Sequence, residues 1–303
     1  MCGLLGFSKV TEATRRMLPV LALRMEARGT DSWGVTDGVT IHKHLGAISD
    51  SWEDPGFTGE VLYHTRAAST GAVTVDNAHP FKFYTDKKTV VGAHNGIVTN
   101  HYALKTKYKR DKVEVDSQHI FMHLAEDKPV EEIDGWGAVI WWEYPTDKPE
   151  QRKLYFSKFS SQYLHIALLD TPDNEFVFAS TQEAITDAAR FANVKIGFNY
   201  IIESNIKYTI EDGNLVEVGK LNWEATPVEY VHTGTSRGLP LYGGQRRDMY
   251  DRYPSGSFYN PNRLGKRVTV CATKKCSNNI TAQQFLCDDC LKPMQEEYLQ
   301  AGA

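Results

Sequence analysis

The cysteines of this chain fall into two groups that suggest two kinds of chemistry. Cys2 follows Met1 and precedes a glycine, whereas the other four lie within twenty residues of one another, at Cys271, Cys276, Cys287 and Cys290. A single thiol can act as a nucleophile, and a cluster of thiols can bind a metal ion. Taken alone, Cys2 favours the simpler interpretation of an idle cysteine, so the rest of the sequence has to decide.

Removal of Met1, which a small second residue favours, would leave a thiol and a free α-amine together on Cys2. A free thiol with a pKa of about 8.5 is only a few per cent ionised at neutral pH, so it needs a base. A neutral α-amine, with a pKa of about 7.7–8.0, can take that proton and later deliver it to a leaving group. We therefore expect Cys2 to supply both nucleophile and base, provided that it is the mature N-terminus.

Four short motifs follow Cys2 along the chain. They are ARGTDSWG at residues 27–34, HTRAASTG at 64–71, NAHP at 77–80 and AHNGIVTN at 93–100. In this order they closely resemble the motifs of the class II glutamine amidotransferases, and the resemblance covers roughly residues 2–200. It implies an α+β fold, the four-layer αββα sandwich of the N-terminal-nucleophile hydrolases. It also implies hydrolysis of L-glutamine to glutamate and ammonia through a thioester on Cys2, with no cofactor for catalysis.

The resemblance further implies roles for individual residues. The Asn95 side chain and the Gly96 N–H would stabilise the oxyanion of the tetrahedral intermediate. Arg66 would bind the α-carboxylate of glutamine through its planar guanidinium, and Asp116 would bind the α-ammonium. Two simpler alternatives stay open, because Asn-Gly is a common turn dipeptide and Asp116 could instead cap a helix.

Two other residues match family positions near the nucleophile. Arg28 matches an arginine of the glutamine site, although it could equally be an ion-pair partner of Asp31. His79, in Asn-Ala-His-Pro, is assigned to the same site, where we expect it to hold the loop geometry rather than to transfer protons. Family members often have a tryptophan at the position of Ala67 and a second histidine at that of Thr70. Those departures affect loop closure and ammonia gating rather than the chemistry.

The pattern of apolar residues predicts antiparallel strands interleaved with helices. A helix is expected at residues 11–27, with others at 116–126 and 181–191 that begin with Asp116 and Thr181 as N-caps. A hairpin with a type I′ turn is expected around Asp37-Gly38. Strands are predicted at residues 2–8, 33–36, 39–44, 61–65, 89–94, 137–144, 164–170, 176–180, 207–211 and 215–218.

The C-terminal part of the chain differs in composition from the rest. We expect a glutaminase domain at residues 1–230, a linker rich in Gly, Pro, Tyr and Arg at 231–266, and a four-cysteine module at 267–303. Two thiol pairs separated by a short loop suit a tetrahedral structural Zn²⁺, which would make this module a zinc ribbon. Free thiols are the alternative, and the basic residues nearby give a weak indication of nucleic-acid contact.

Composition narrows the class of protein. The 303 residues are 41% hydrophobic and carry a net charge of −4, which argues against a globally basic nucleic-acid binder. The sequence shows neither a signal peptide nor a membrane span, so we expect a cytoplasmic location.

Since only the linker and the module follow the glutaminase region, we expect a separate synthase subunit to accept the ammonia. The alternatives are an amidase for another amide and a non-enzymatic relative that binds nucleic acid or protein.

Overall fold

The structure of the protein is a computed structural model that describes residues 1–52, 55–159 and 164–225. These residues belong to one compact unit, Met1–Thr226. The predicted linker and the four cysteines of the predicted zinc module lie outside the described residues. Within the part that is described, no helix is both long enough and apolar enough to cross a membrane.

The described chain alternates strands and helices. The helices are α1 (Glu12–Glu26), α2 (His101–Lys107), α3 (Gln118–Ala125) and α4 (Gln182–Phe191). The strands are β1 (Gly3–Phe7), β2 (Ser32–Thr36), β3 (Ile41–Leu45), β4 (Val61–Arg66), β5 (Phe81–Tyr84), β6 (Lys88–Val98), β7 (Asp134–Pro145), β8 (Lys153–Phe159), β9 (His165–Leu169), β10 (Phe176–Ala179), β11 (Ile196–Tyr200), β12 (Ile206–Glu211), β13 (Asn214–Lys220) and β14 (Glu224–Ala225).

The strands form two sheets. The first has the order β11-β9-β10-β1-β4-β2-β3, and the second has the order β13-β12-β8-β7-β6-β5 with β14 beside β7. Neighbouring strands are antiparallel, apart from the parallel pair of β14 and β7. The N-terminal strand β1 therefore lies in the interior of the first sheet, hydrogen-bonded to β4 on one side and β10 on the other.

Three apolar cores separate four layers. Because successive side chains of a strand point to opposite faces, Leu4 packs between the two sheets while Leu5 packs under α1 and α4. The third core joins the other face of the second sheet to α3, through residues such as Phe121 and Val139. The expected α+β class with two sheets is confirmed, and the order of layers in the described part is αββα.

Most predicted elements are present with small shifts at their ends, but two local predictions are wrong. The residue before α3 is Ser117, and the Asp116 carboxylate bonds elsewhere instead of capping the helix. The β2–β3 hairpin has a four-residue connection rather than a two-residue type I′ turn, since Thr36 pairs with Ile41. The Asp37 carboxylate accepts hydrogen bonds from the backbone N–H groups of Val39 and Thr40, and this stabilises the longer loop.

Candidate functional site

Cys2 is held at the start of an interior strand. The next residue, Gly3, pairs with Thr65 of β4, and a Cβ added to Gly3 would lie 2.7 Å from the Thr65 hydroxyl oxygen. This close approach explains the glycine after the cysteine. The half-buried Cys2 thiol donates to the carbonyl oxygen of Ala67 at 3.6 Å, just beyond the end of β4. The nucleophile candidate thus lies between β1 and the loop that follows β4.

Arg28 contacts the nucleophile candidate directly. Its Nε donates to the Cys2 carbonyl oxygen at 2.8 Å. The carboxylate of Asp31, the alternative partner, accepts instead from the Ala68 N–H at 2.7 Å. The structure therefore places Arg28 against the backbone of Cys2, where it restrains that residue.

Arg66 and Asp116 meet at one loop residue, Thr70. The Arg66 guanidinium donates to the carbonyl oxygens of Thr70 at 2.6 Å and Ala72 at 3.2 Å. The Asp116 carboxylate accepts from the Thr70 hydroxyl at 2.8 Å and from the Val98 N–H at 2.7 Å. Both charged residues are almost fully buried, at 2% and 3% exposure. Arg66 and Asp116, the two residues expected to bind the charged groups of an amino acid and called the clamps below, are therefore brought together at Thr70.

Burial and charge set the state of the thiol. Burial raises the pKa of the Cys2 thiol above its usual value, while the hydrogen bond to Ala67 and the positive charges of the Met1 amine and Arg66 oppose the rise. The negative charge of Asp116 raises the pKa of Cys2 further. The thiol is therefore protonated at neutral pH and needs a proton acceptor before it can attack a carbonyl.

Asn95 and Gly96 lie inside a strand, so the alternative of a simple turn is wrong. Within β6 they pair with Ala138 and Gly137 of β7. The Asn95 Nδ2 donates to the Ser180 hydroxyl oxygen at 3.1 Å, and the same oxygen accepts from the Leu4 N–H at 2.9 Å. Through Ser180 the Asn95 amide is connected to β1 two residues from Cys2.

His79 belongs to a group of buried histidines. Its ring lies 4.1 Å from the ring of His64 and 4.4 Å from that of Phe81, measured between centroids. Neither ring nitrogen of His79 has a hydrogen-bond partner. The His64 Nε2 lies 3.2 Å from the carbonyl oxygen of His94. These contacts place the buried His79 ring between those of His64 and Phe81.

Two residues of the site were not predicted from the sequence. Thr70 joins the clamps, and Ser180 joins Asn95 to β1. In the sequence, Thr70 is a departure from the family motif and Ser180 is the last residue of a predicted strand. Their roles come from contacts between distant parts of the chain, which local patterns do not report. Among the described residues, no group of three or more His, Cys, Asp or Glu side chains could hold a metal ion.

Comparisons with known proteins find one matching family model and a set of similar sequences. Residues 55–140 match the family model described as glutamine amidotransferases class-II. The glutamine–fructose-6-phosphate aminotransferase (isomerizing) of Methanococcus maripaludis is 33% identical over 141 residues, which are 42% of this chain and 22% of that protein. That of Oceanobacillus iheyensis is 28% identical over 248 residues, 78% of this chain and 38% of that protein. The chain thus spans well under half the length of these relatives.

Solved structures show the same fold. The allosteric regulatory enzyme of purine biosynthesis superposes with a TM-score of 0.52 at 18% identity, over 72% of this chain and 48% of that one. Glutamine phosphoribosylpyrophosphate amidotransferase from B. subtilis gives 0.50 at 18% identity, over 72% and 49% of the two chains. At this identity the likeness concerns the fold alone.

The buried histidines predict acid sensitivity. Burial lowers the pKa of His94 to about 4 and that of His64 to about 3, and it lowers the pKa of His79 well below its usual value. Below pH about 6.5 the unfolded chain therefore binds more protons at these histidines than the folded chain does. Their contribution to the free energy of unfolding is fully present above that pH and is lost as the pH falls toward their pKa values in the folded state. Each histidine contributes up to about 1.4 kcal/mol per pH unit. His79→Phe should reduce the loss of unfolding free energy between pH 7 and pH 5, measured by urea titration.

The matched control is His101→Gln on α2, which leaves the imidazoles of His64, His79 and His94 in place and should keep the wild-type pH dependence. An unchanged pH dependence in His79→Phe would show that this imidazole is not held neutral by burial.

Proposed function

We propose that this chain, which carries a class II glutamine amidotransferase domain by sequence and fold, hydrolyses L-glutamine to glutamate and ammonia. The observation that carries the proposal is the meeting of Arg66 and Asp116 at Thr70, beside the thiol of Cys2. A free amino acid presents one carboxylate and one ammonium, and these two side chains offer the opposite charges. An amidase for other acyl amides would have no use for this pair.

The reaction would proceed through a thioester on Cys2. The thiol gives its proton to the α-amine of Cys2, which Met1 removal exposes, and the sulfur attacks the side-chain amide carbon. The protonated amine returns the proton to the leaving nitrogen as the C–N bond breaks, which releases ammonia. Water then attacks the thioester with the same base, releasing glutamate and restoring the thiol. Arg28, bound to the Cys2 carbonyl oxygen, holds the nucleophile in place throughout.

Asn95 and Gly96 would stabilise the negative oxygen of each tetrahedral intermediate. One proton of the Asn95 amide is bound to Ser180, and a second proton on Nδ2 is left for the substrate. Gly96 is tightly enclosed, since an added Cβ would lie 2.0 Å from the Trp136 carbonyl oxygen. Only glycine fits at this point of the strand, and its backbone N–H is the second proposed oxyanion donor.

We also propose that the ammonia passes to an acceptor synthase rather than to solvent. The curated relatives are named for amino transfer from glutamine to fructose 6-phosphate, and this supports delivery of the nitrogen to an acceptor. A cytoplasmic location fits the same proposal.

Substitutions at the nucleophile and at one clamp should separate chemistry from binding. Cys2→Ala should abolish release of glutamate from glutamine, because no other group takes the place of the sulfur. Asp116→Asn should raise KM for glutamine roughly 10- to 100-fold, since a hydrogen bond to a charged group contributes about 1.5–3 kcal/mol. Initial rates of glutamate release, measured over a range of glutamine concentrations, give both kcat and KM.

The matched control is Asp173→Asn. Asp173 pairs with Lys9 at the surface, so this substitution should leave kcat and KM unchanged. Full activity in Cys2→Ala would exclude the thioester. Equal hydrolysis of glutamine and of amides without an α-amino group would favour the alternative amidase.

The zinc module is proposed from its thiol spacing alone. Two pairs, Cys271 with Cys276 and Cys287 with Cys290, suit a closed tetrahedral site in which the metal stabilises a small fold. Elemental analysis of the purified full chain should find one zinc per chain, and the double variant Cys287→Ser/Cys290→Ser should lose it. Metal-free protein with four thiols that react freely would contradict the module.

A further inference from the structure

Ser180 occupies a fixed position where the first sheet joins α4. It directly follows β10, and its neighbour Thr181 caps α4 by accepting from the Ala184 N–H at 3.3 Å. The residue is 3% exposed. Since a strand precedes it and a capped helix follows it, the backbone of Ser180 has little freedom to move.

The Ser180 hydroxyl connects both sheets. Its oxygen accepts from the Leu4 N–H of the first sheet at 2.9 Å and from the Asn95 Nδ2 of the second at 3.1 Å. The Ser180 N–H also donates to the Leu4 carbonyl oxygen at 2.9 Å. Ser180 is thus bound to β1 through backbone and side chain, and to the side chain of Asn95 through one oxygen.

The amide of Asn95 has two Nδ2 protons with different surroundings. A primary amide is planar, so fixing one N–H direction also fixes the direction of the other. The proton that Ser180 binds sets the rotation of the Asn95 side chain, and the second proton then has one defined direction. A donor must already point to the developing oxyanion to lower the barrier, because reorientation during the reaction reduces its effect.

We propose that Ser180 is the positioning residue of the oxyanion site, which holds the Asn95 amide in its donating orientation at a fixed place relative to the strand that begins with Cys2. This inference rests on the proposed hydrolysis of glutamine. Ser180 touches neither substrate nor sulfur and acts through Asn95. Its loss should therefore lower kcat about tenfold or more, but less than the roughly 10²- to 10³-fold loss that removal of an oxyanion donor causes.

Kinetics of four variants of the full chain test the proposal. Ser180→Ala should lower kcat with KM for glutamine nearly unchanged, because the clamps are untouched. Ser180→Thr retains the hydroxyl and should recover most of the rate. In the Asn95→Ala background, adding Ser180→Ala should cause no further loss, since the group through which it acts is gone.

A matched control removes another buried serine hydroxyl. Ser157 of β8 is fully buried and its hydroxyl has no hydrogen-bond partner, so Ser157→Ala should keep the wild-type rate. If Ser180→Ala does not fold, Ser180→Cys replaces it, because the thiol has a similar size but accepts hydrogen bonds weakly. Ser180→Ala that slows the Asn95→Ala enzyme by the same factor as the wild type would overturn the proposal in favour of a purely structural role.

A second measurement does not depend on activity. In the wild-type protein, one side-chain amide proton of Asn95 should exchange slowly with solvent in nuclear magnetic resonance spectra, and Ser180→Ala should remove this protection. Equal exchange in both proteins would overturn the positioning role. Retained protection in a chain that does not hydrolyse glutamine would reject the proposed function while keeping the contact.

Discussion

The site depends on the insertion of the N-terminal strand into the interior of a sheet. Chain termini are usually mobile, yet every residue of β1 is buried and the strand is paired on both sides. This double pairing fixes Cys2 relative to β4, which ends in Arg66, and relative to β10, which ends beside Ser180. Removing either partner strand would release the thiol from the groups around it. The precision of the candidate site is therefore a consequence of backbone hydrogen bonding in the first sheet.

The charged residues of the site are satisfied before any substrate binds. Buried charges are costly unless they are paired or hydrogen-bonded, and Arg66 and Asp116 meet this requirement through the loop at Thr70 and through the Val98 amide. The same loop residues consequently fix the orientation of the two charged side chains. Burial keeps the thiol protonated beside them, so the chemistry requires a base close to the sulfur.

The sequence was most informative where local pattern and tertiary structure agree. The pattern of apolar residues predicted both β1 and α1, and Thr181 was correctly expected to cap α4. The short helix α2 and the strands β5, β8, β11 and β14 were not predicted. Each of these four strands pairs with a longer or more central neighbour, a contact that its own residues do not reveal. Asn95-Gly96 favours a turn locally, but pairing with Ala138 and Gly137 continues the strand through it. The positions of Thr70 and Ser180 in the site follow from contacts between residues far apart in sequence, which a single sequence does not reveal.

The proposed role of Cys2 is that of the nucleophile in a site for a free amino acid. Intact-mass measurement of the purified protein, with and without a glutamine-analogue electrophile, tests it most directly. We expect a mass that lacks Met1 and a single adduct that peptide mapping places on Cys2, with labelling slowed by excess L-glutamine. A mature chain that retains Met1, or an adduct on another residue that glutamine does not protect, would contradict it.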